Sequence, residues 1–208
     1  MKSILTYGDS NTWGANPKTG ERLPLNERWP GILRSELGDG HHIIEEGLSG
    51  RTTVHDDPFD PSRNGRTYLP PCLASHAPLD LVIIMLGTND LKCRFAVPAI
   101  DIAYGVGALI EITLRSGAGP GGTPPQVLLI APPPIREIGE GVEMFRGGAV
   151  KSARFGQHYR AIAETHRCGF LDASTVVASS PIDGVHLDAE AHRVLGIATA
   201  QRVREMLR

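Results

Sequence analysis

The sequence predicts an α/β protein, a mostly parallel sheet with helices on both faces. Three observations carry that prediction. Strand and helix signals alternate along the chain, the order that parallel strands with crossover helices require. The run Leu79-Asp80-Leu81-Val82-Ile83-Ile84-Met85-Leu86 is apolar almost throughout, as a strand covered on both faces must be. A second apolar run, Gln126-Val127-Leu128-Leu129-Ile130-Ala131, is stopped abruptly by Pro132-Pro133-Pro134.

The elements follow in order. Ser3–Tyr7 is a short strand. Glu27–Leu37 is an amphipathic helix, with Trp29, Ile32, Leu33 and Leu37 on one stripe and Gly38 as its stop. His42–Glu45 is a weaker strand, and Leu79–Leu86 the strongest. Ile100–Arg115 is a helix weakened by two glycines, Gly105 and Gly107. After the 126–131 strand come a helix over Val150–His166, a short strand over Cys168–Asp172 and a closing helix over Asp188–Leu207, N-capped by Asp188. The Gly/Pro-rich stretch 116–125 joins a helix to a buried strand, so it is expected to be a loop inside a single domain spanning 1–208. No internal repeat is present. Segments 51–71 and 132–149 read as long, irregular and strand-following, which makes both candidate walls of a ligand pocket.

Composition narrows the function. A chain of 208 residues can bury one sizeable core. Its net charge of −2 offers no electrostatic case for nucleic acid or an anionic membrane. No run of about 18 apolar residues suits a membrane span. The apolar stretch before Gly8 is too short for a secretion signal, so a cytoplasmic location is expected. Cys72, Cys93 and Cys168 are odd in number and widely spaced, with neither a disulfide framework nor a zinc pattern; each is expected to be a reduced core residue. No Gly-x-Gly-x-x-Gly follows the first strand and no Gly-x4-Gly-Lys-Ser/Thr motif occurs, which argues against dinucleotides and nucleoside triphosphates.

Four short motifs follow strands or precede the last helix. They are Gly8-Asp9-Ser10, Glu46-Gly47-Leu48-Ser49-Gly50-Arg51, Gly87-Thr88-Asn89-Asp90 and Asp183-Gly184-Val185-His186. Each alone is an ordinary turn. Parallel strands, however, bring their C-terminal ends to one edge of the sheet, where distant residues meet. A serine hydroxyl needs a base to take its proton, and a carboxylate usually holds that base in the right tautomer. Asp183 and His186, three apart, have suitable spacing for acid and base. The oxyanion needs fixed donors, which the Ser10 and Gly50 N–H groups and the Asn89 amide offer.

This ordered set resembles the four sequence blocks of the SGNH hydrolases, also called GDSL-type esterases. The strings EEGLSGRTT, APLDLVIIMLGTNDLK and DGVHL look most like the bacterial arylesterase/acyltransferase branch. The resemblance implies a flavodoxin-like three-layer α/β/α sandwich without a cofactor or metal. It implies Ser10 as nucleophile, His186 as base, Asp183 as acid, and Ser10, Gly50 and Asn89 as the oxyanion hole. Gly50 is preferred to Gly47 because it ends the hydrophobic-Ser-Gly pattern. It also implies a small-molecule ester substrate, acyl transfer to alcohols or peroxide, and a homo-oligomer. Alternatives with the same machinery are a carbohydrate acetyl-esterase and a lysophospholipase. A non-catalytic binder fits the full set of reactive groups poorly. The family often carries Leu after the serine; here Asn11 stands there.

Other residues keep rival readings. Asp9 could order the loop or serve as the acid; the loop role is preferred. Asp9, Asn11 and Trp13 are expected to shape the substrate pocket, with a core role equally open for Trp13. Arg51 and Arg63 could bind an acidic substrate or cross a subunit interface. Asp56, Asp57 and Asp60 lack a calcium-loop pattern and read as hydrated charge. His41, His42, His158, His166 and His192 read as solvated or structural. Ile135, Ile138, Met144 and Phe145 are expected to wall the acyl channel and to form part of an oligomer contact.

Overall fold

The computed structural model describes residues 1–207. Five strands form one sheet: β1 (Lys2–Gly8), β2 (His41–Gly47), β3 (Leu81–Met85), β4 (Gln126–Ala131) and β5 (Gly169–Asp172). Their order is β2-β1-β3-β4-β5, and every pairing is parallel. The helices are α1 (Ser10–Trp13), α2 (Trp29–Leu37), α3 (Gly65–His76), α4 (Ala99–Arg115), α5 (Gly148–Ser152), α6 (Phe155–His166) and α7 (Ala189–Met206).

Strand alternation divides the core into two layers. Leu5, Tyr7, Val82, Ile84 and Leu129 pack with apolar residues of α3, α4 and α6. Ile4, Leu81, Ile83, Met85, Leu128 and Ile130 pack with Trp29 and Leu33 of α2 and Leu195 and Val203 of α7. Each such Leu or Ile, fully buried, contributes about 1.5–3 kcal/mol of transfer free energy. Because both faces are covered, the central strands carry no polar alternation, which is the pattern visible in the sequence.

The strand order reverses direction between β1 and β3, and a crevice opens at such a point. Gly8 at the end of β1 pairs with Gly47 of β2 on one side and Met85 of β3 on the other. The three chains therefore leave the sheet at the same level.

Several expectations change. The Glu27–Leu37 helix begins at Trp29, with Pro30 in its first turn, where a missing N–H costs nothing. Segment 51–71 is not wholly irregular, because α3 starts at Gly65. Asn64 caps it by accepting from the Arg66 N–H at 2.9 Å. Pro70 and Pro71 lie inside this helix, which makes the sequence read as a break. They sit on its exposed side while Leu69, Cys72 and Leu73 bury the other. The helix expected over 150–166 is two. The Arg154 N–H donates to the Lys151 carbonyl at 3.0 Å, a tightened turn, just where the Ser152 hydroxyl anchors the Ile135 N–H at 3.1 Å. Cys72 is buried and Cys168 partly buried, but Cys93 is exposed and not a core residue.

Candidate active site

Ser10 is the first residue of α1, immediately beyond β1. Asp9 Oδ1 accepts from the Asn11 N–H at 2.9 Å and so caps this single turn. The other three segments arrive from β2, from β3 and from the loop before α7.

His186 Nε2 lies 2.9 Å from Ser10 Oγ, and His186 Nδ1 lies 2.6 Å from Asp183 Oδ2. An ionised carboxylate only accepts, so Nδ1 carries the proton and Nε2 is free to accept from the serine hydroxyl. Asp183 Oδ1 also accepts from the N–H groups of Val185 (2.9 Å) and His186 (3.0 Å). Burial acts to raise the Asp183 pKa, but these three hydrogen bonds outweigh it and hold the carboxyl below its ordinary value. Gly184 supplies the φ of +76° that lets so short a turn fold the carboxylate back on the ring.

Asp9 has the opposite environment. It is 1% exposed, and its Oδ2 has no hydrogen-bond partner among the described residues. Burial pushes it up to about 6, against the Asn11 hydrogen bond and the charge of His186. The ring nitrogen of His186 is held by Asp183, and Asp9 serves the loop.

Gly50 lies at φ +84° inside a turn fixed on both sides: the Leu48 N–H donates to the Gly8 carbonyl at 3.1 Å, and the Arg51 N–H to the Leu48 carbonyl at 3.0 Å. Asn89 Nδ2 donates one proton to the Arg51 carbonyl at 3.1 Å, leaving the second for the cavity that this residue lines. Asp90, fully buried, accepts from the Thr53 N–H, the Thr53 hydroxyl (2.6 Å) and His55 Nδ1 (2.7 Å). That hydrogen bond to Asp90 is the main cause of a raised His55 pKa.

A cavity of about 420 Å³ opens over Ser10. Ser49, Gly50, Asn89, Lys92, Gly141, Met144, Phe145, Val185 and His186 line it. A larger cavity of about 540 Å³ lies between α3 and α4, but its one serine, Ser116, donates to the Thr113 carbonyl at 2.7 Å and accepts from the Ala118 N–H at 3.1 Å, with no histidine on the wall to activate it. Chemistry, rather than volume, selects the smaller one.

The structure thus brings together Ser10, Gly50, Asn89, Asp183 and His186, and places three expected pocket residues elsewhere. Asp9 and Asn11 are buried behind the cavity wall. Asn11 Oδ1 accepts from the Leu187 N–H at 3.0 Å, and its Nδ2 donates to the Val185 carbonyl at 3.3 Å. It staples the histidine turn to α1. Trp13 is also off the wall, half-buried beneath the Arg22 guanidinium. Of the two loops expected as walls, 132–149 contributes Gly141, Met144 and Phe145, and 51–71 contributes nothing. Phe145 is buried, packed in the core as well as on the cavity wall.

Arg51 is turned inward. It is 2% exposed, stacks over Tyr7, and donates from Nη1 to the carbonyls of Gly8 (2.8 Å) and Glu46. Arg63 pairs with Asp60 at 2.8 Å. Asp57 is not hydrated charge but a buried partner of Arg94 (3.0 Å) and Lys92 (3.8 Å). Lys92 also lies on the cavity wall, a position that sequence reasoning does not assign; its only signal there is its place three residues after Asn89.

Comparison with known proteins follows the same lines. The model of the GDSL-like lipase/acylhydrolase family matches residues 6–194. A carbohydrate acetylesterase from Sinorhizobium meliloti is 46% identical, with 99% of this chain and 100% of that one covered and a TM-score of 0.94. An aryl esterase from M. smegmatis is 43% identical over 99% of both chains, with a TM-score of 0.94. A putative arylesterase from Agrobacterium tumefaciens is 42% identical over 99% of both, with a TM-score of 0.90. No curated protein matches the chain.

Proposed function

Because this chain belongs to the GDSL-like lipase/acylhydrolase family, we propose that it is a serine esterase whose reaction runs through Ser10, His186 and Asp183. The unbroken hydrogen-bonded path from Ser10 Oγ through both ring nitrogens of His186 to Asp183 supports this reading most directly.

His186 Nε2 takes the Ser10 proton as Oγ attacks the ester carbonyl. Asp183 stabilises the imidazolium through Nδ1. The Ser10 and Gly50 N–H groups and the Asn89 amide receive the charge that develops on the carbonyl oxygen. His186 then gives its proton to the leaving alcohol, and an acyl-serine remains. Water attacks that intermediate with His186 again as base, releasing the acid and restoring Ser10. An alcohol or hydrogen peroxide attacking in place of water would give acyl transfer.

Small aryl and alkyl esters suit the cavity, whose walls include Met144, Phe145 and Val185. A second reading, removal of acetyl groups from carbohydrates, is supported by the likeness to the acetylesterase from Sinorhizobium meliloti and by Ser49 and Lys92 on the same wall. A panel of phenyl acetate, longer acyl esters, lysophospholipid and acetylated sugars tests both. Turnover of phenyl acetate, lost with fluorophosphonate labelling in Ser10→Ala, is the expected result. Labelling that persists in Ser10→Ala removes Ser10 from the mechanism.

The reading extends to assembly and location. Ile138, Val142 and Met144 are 38%, 44% and 41% exposed on the strap beside the cavity, a surface suited to a second copy of the chain. Three unpaired thiols favour a reducing compartment such as the cytoplasm. No helix among the described residues is long and apolar enough to cross a membrane.

A further inference from the structure

Away from Ser10, the edge strand β2 and helix α3 place three different metal-ligating side chains together. Cys72 and His76 are four apart on α3 and share one face of it. Glu46 reaches that face from β2, with Oε1 2.9 Å from His76 Nε2. The Cys72 Sγ, the His76 ring nitrogen and the Glu46 oxygen all lie within 4.8 Å of one another.

We propose that Glu46, Cys72 and His76 form a binding site for a thiophilic divalent cation of the zinc class. Zinc holds sulfur at about 2.3 Å and nitrogen or oxygen at about 2.0–2.2 Å, which puts tetrahedral ligands about 3.5 Å apart. Shifts of about 1 Å therefore close the triangle on an ion. On binding, the Cys72 S–H bond breaks, its electron pair goes to the metal and its proton goes to solvent. His76 Nε2, which donates its proton to Glu46 before the ion binds, loses that proton to solvent and gives its lone pair to the metal, and the neutral ring keeps or takes up one proton on Nδ1. Glu46 gives one carboxylate oxygen. A cavity of about 370 Å³ borders Glu46, with Arg51, Arg63 and Tyr68 on its other walls.

Donor chemistry sets the selectivity. One thiolate, one imidazole and one carboxylate suit zinc or cobalt, and are poor ligands for magnesium or calcium. The buried Arg51 guanidinium, packed over Tyr7 and Tyr68 beside the site, opposes any cation. Two anionic ligands are needed to offset it. An ion here ties α3 to the sheet edge. The inference stands apart from the ester chemistry, since none of the three ligands lines the cavity over Ser10.

The test is a cobalt titration of the intact, chelator-treated protein. A thiolate-to-cobalt charge-transfer band in the near ultraviolet is expected, displaced by zinc, with a rise in melting temperature on adding zinc. Cys72→Ser is expected to abolish the band, while Cys93→Ser keeps it. His76→Gln and Glu46→Gln are each expected to weaken cobalt binding about 10-fold or more. No band from folded protein overturns the proposal. So does a band lost in Cys93→Ser and kept in Cys72→Ser. If Cys72→Ser does not fold, unchanged cobalt affinity in both His76→Gln and Glu46→Gln overturns it instead.

Discussion

Asn89 serves two partners with one amide. One proton goes to the Arg51 carbonyl at 3.1 Å, which fixes the side chain, and the other remains for an oxyanion. Asn89→Ala is therefore expected to lower kcat by about 10²–10³, as removal of a preorganised donor does. Steady-state kinetics with phenyl acetate, alongside a melting curve, checks this; a kcat within a few-fold of the parent rules out the donor role. The two carboxylates flanking His186 show how environment separates like groups. Asp183 collects three donors and stays below the ordinary carboxylate range, whereas Asp9, with one donor and almost no exposure, is pushed up to about 6. The better-solvated, better-bonded group is the one that can hold an imidazolium.

Between elements, the hydrogen bonds of Asn11 join α1 to the turn that carries His186. Both partners, the Leu187 N–H and the Val185 carbonyl, are in buried residues. Asn11→Ala strands them without bonds, at a cost of about 1–3 kcal/mol. It also frees the turn to drift from Ser10, and small misplacements of reacting groups are expensive. The expected outcome is a lower urea midpoint together with a reduced kcat. A variant with parental kcat and lowered stability would show that the staple serves folding alone. Arg51 plays a comparable part, joining the ends of β1 and β2 through the Gly8 and Glu46 carbonyls.

For the whole molecule, two buried groups pull the pH dependence of stability in opposite directions. His192 of α7 is fully buried, its Nδ1 accepts from the Trp29 N–H at 3.3 Å, and burial pushes its pKa down from 6.5 to about 4. The unfolded chain takes up this proton first, so His192 withdraws stability as pH falls from about 6.5 to about 4. The full effect is about 3 kcal/mol. Asp9, raised from 3.8 to about 6, does the reverse. The folded chain takes up its proton first, so stability is gained as pH falls from about 6 to about 4, by a similar amount. Their contributions nearly cancel in that window. Asp9→Asn is expected to uncover the acid sensitivity of His192, with urea midpoints falling between pH 6.5 and 4.5. His192→Gln is expected to do the opposite. Identical midpoint profiles for both variants would remove either group as the source. Asp183, with a lowered pKa, loses its contribution only below the window. His55, with a raised one, loses its contribution above it.

Across the whole chain, local chemistry was legible where it follows from a pattern of neighbours. Continuous apolar runs mark strands buried on both faces, and a stop signal marks each end. Asp188 is placed as an N-cap by its position alone, and its side chain does accept from the Ala191 N–H at 2.9 Å. The alternation of strands and helices implies parallel strands, and parallel strands imply that Ser10, Gly50 and Asn89 emerge at one edge. What the sequence could not display is which side of a loop faces the cavity and which faces the core. Asn11, Trp13 and Arg51 are polar or amphipathic residues in motif-rich loops, and in sequence they resemble pocket residues, while Asp57 resembles hydrated charge. Only the closed structure shows them turned inward, because a tight loop carries buried backbone groups and charges that need partners. The meeting of Glu46 with Cys72 and His76 belongs to the same class. It depends on α3 packing against an edge strand, and no spacing along the chain records that contact. Sequence determined the order of the elements and the reactive groups at their ends; tertiary packing decided which side chains reach the cavity and which are spent holding it in shape.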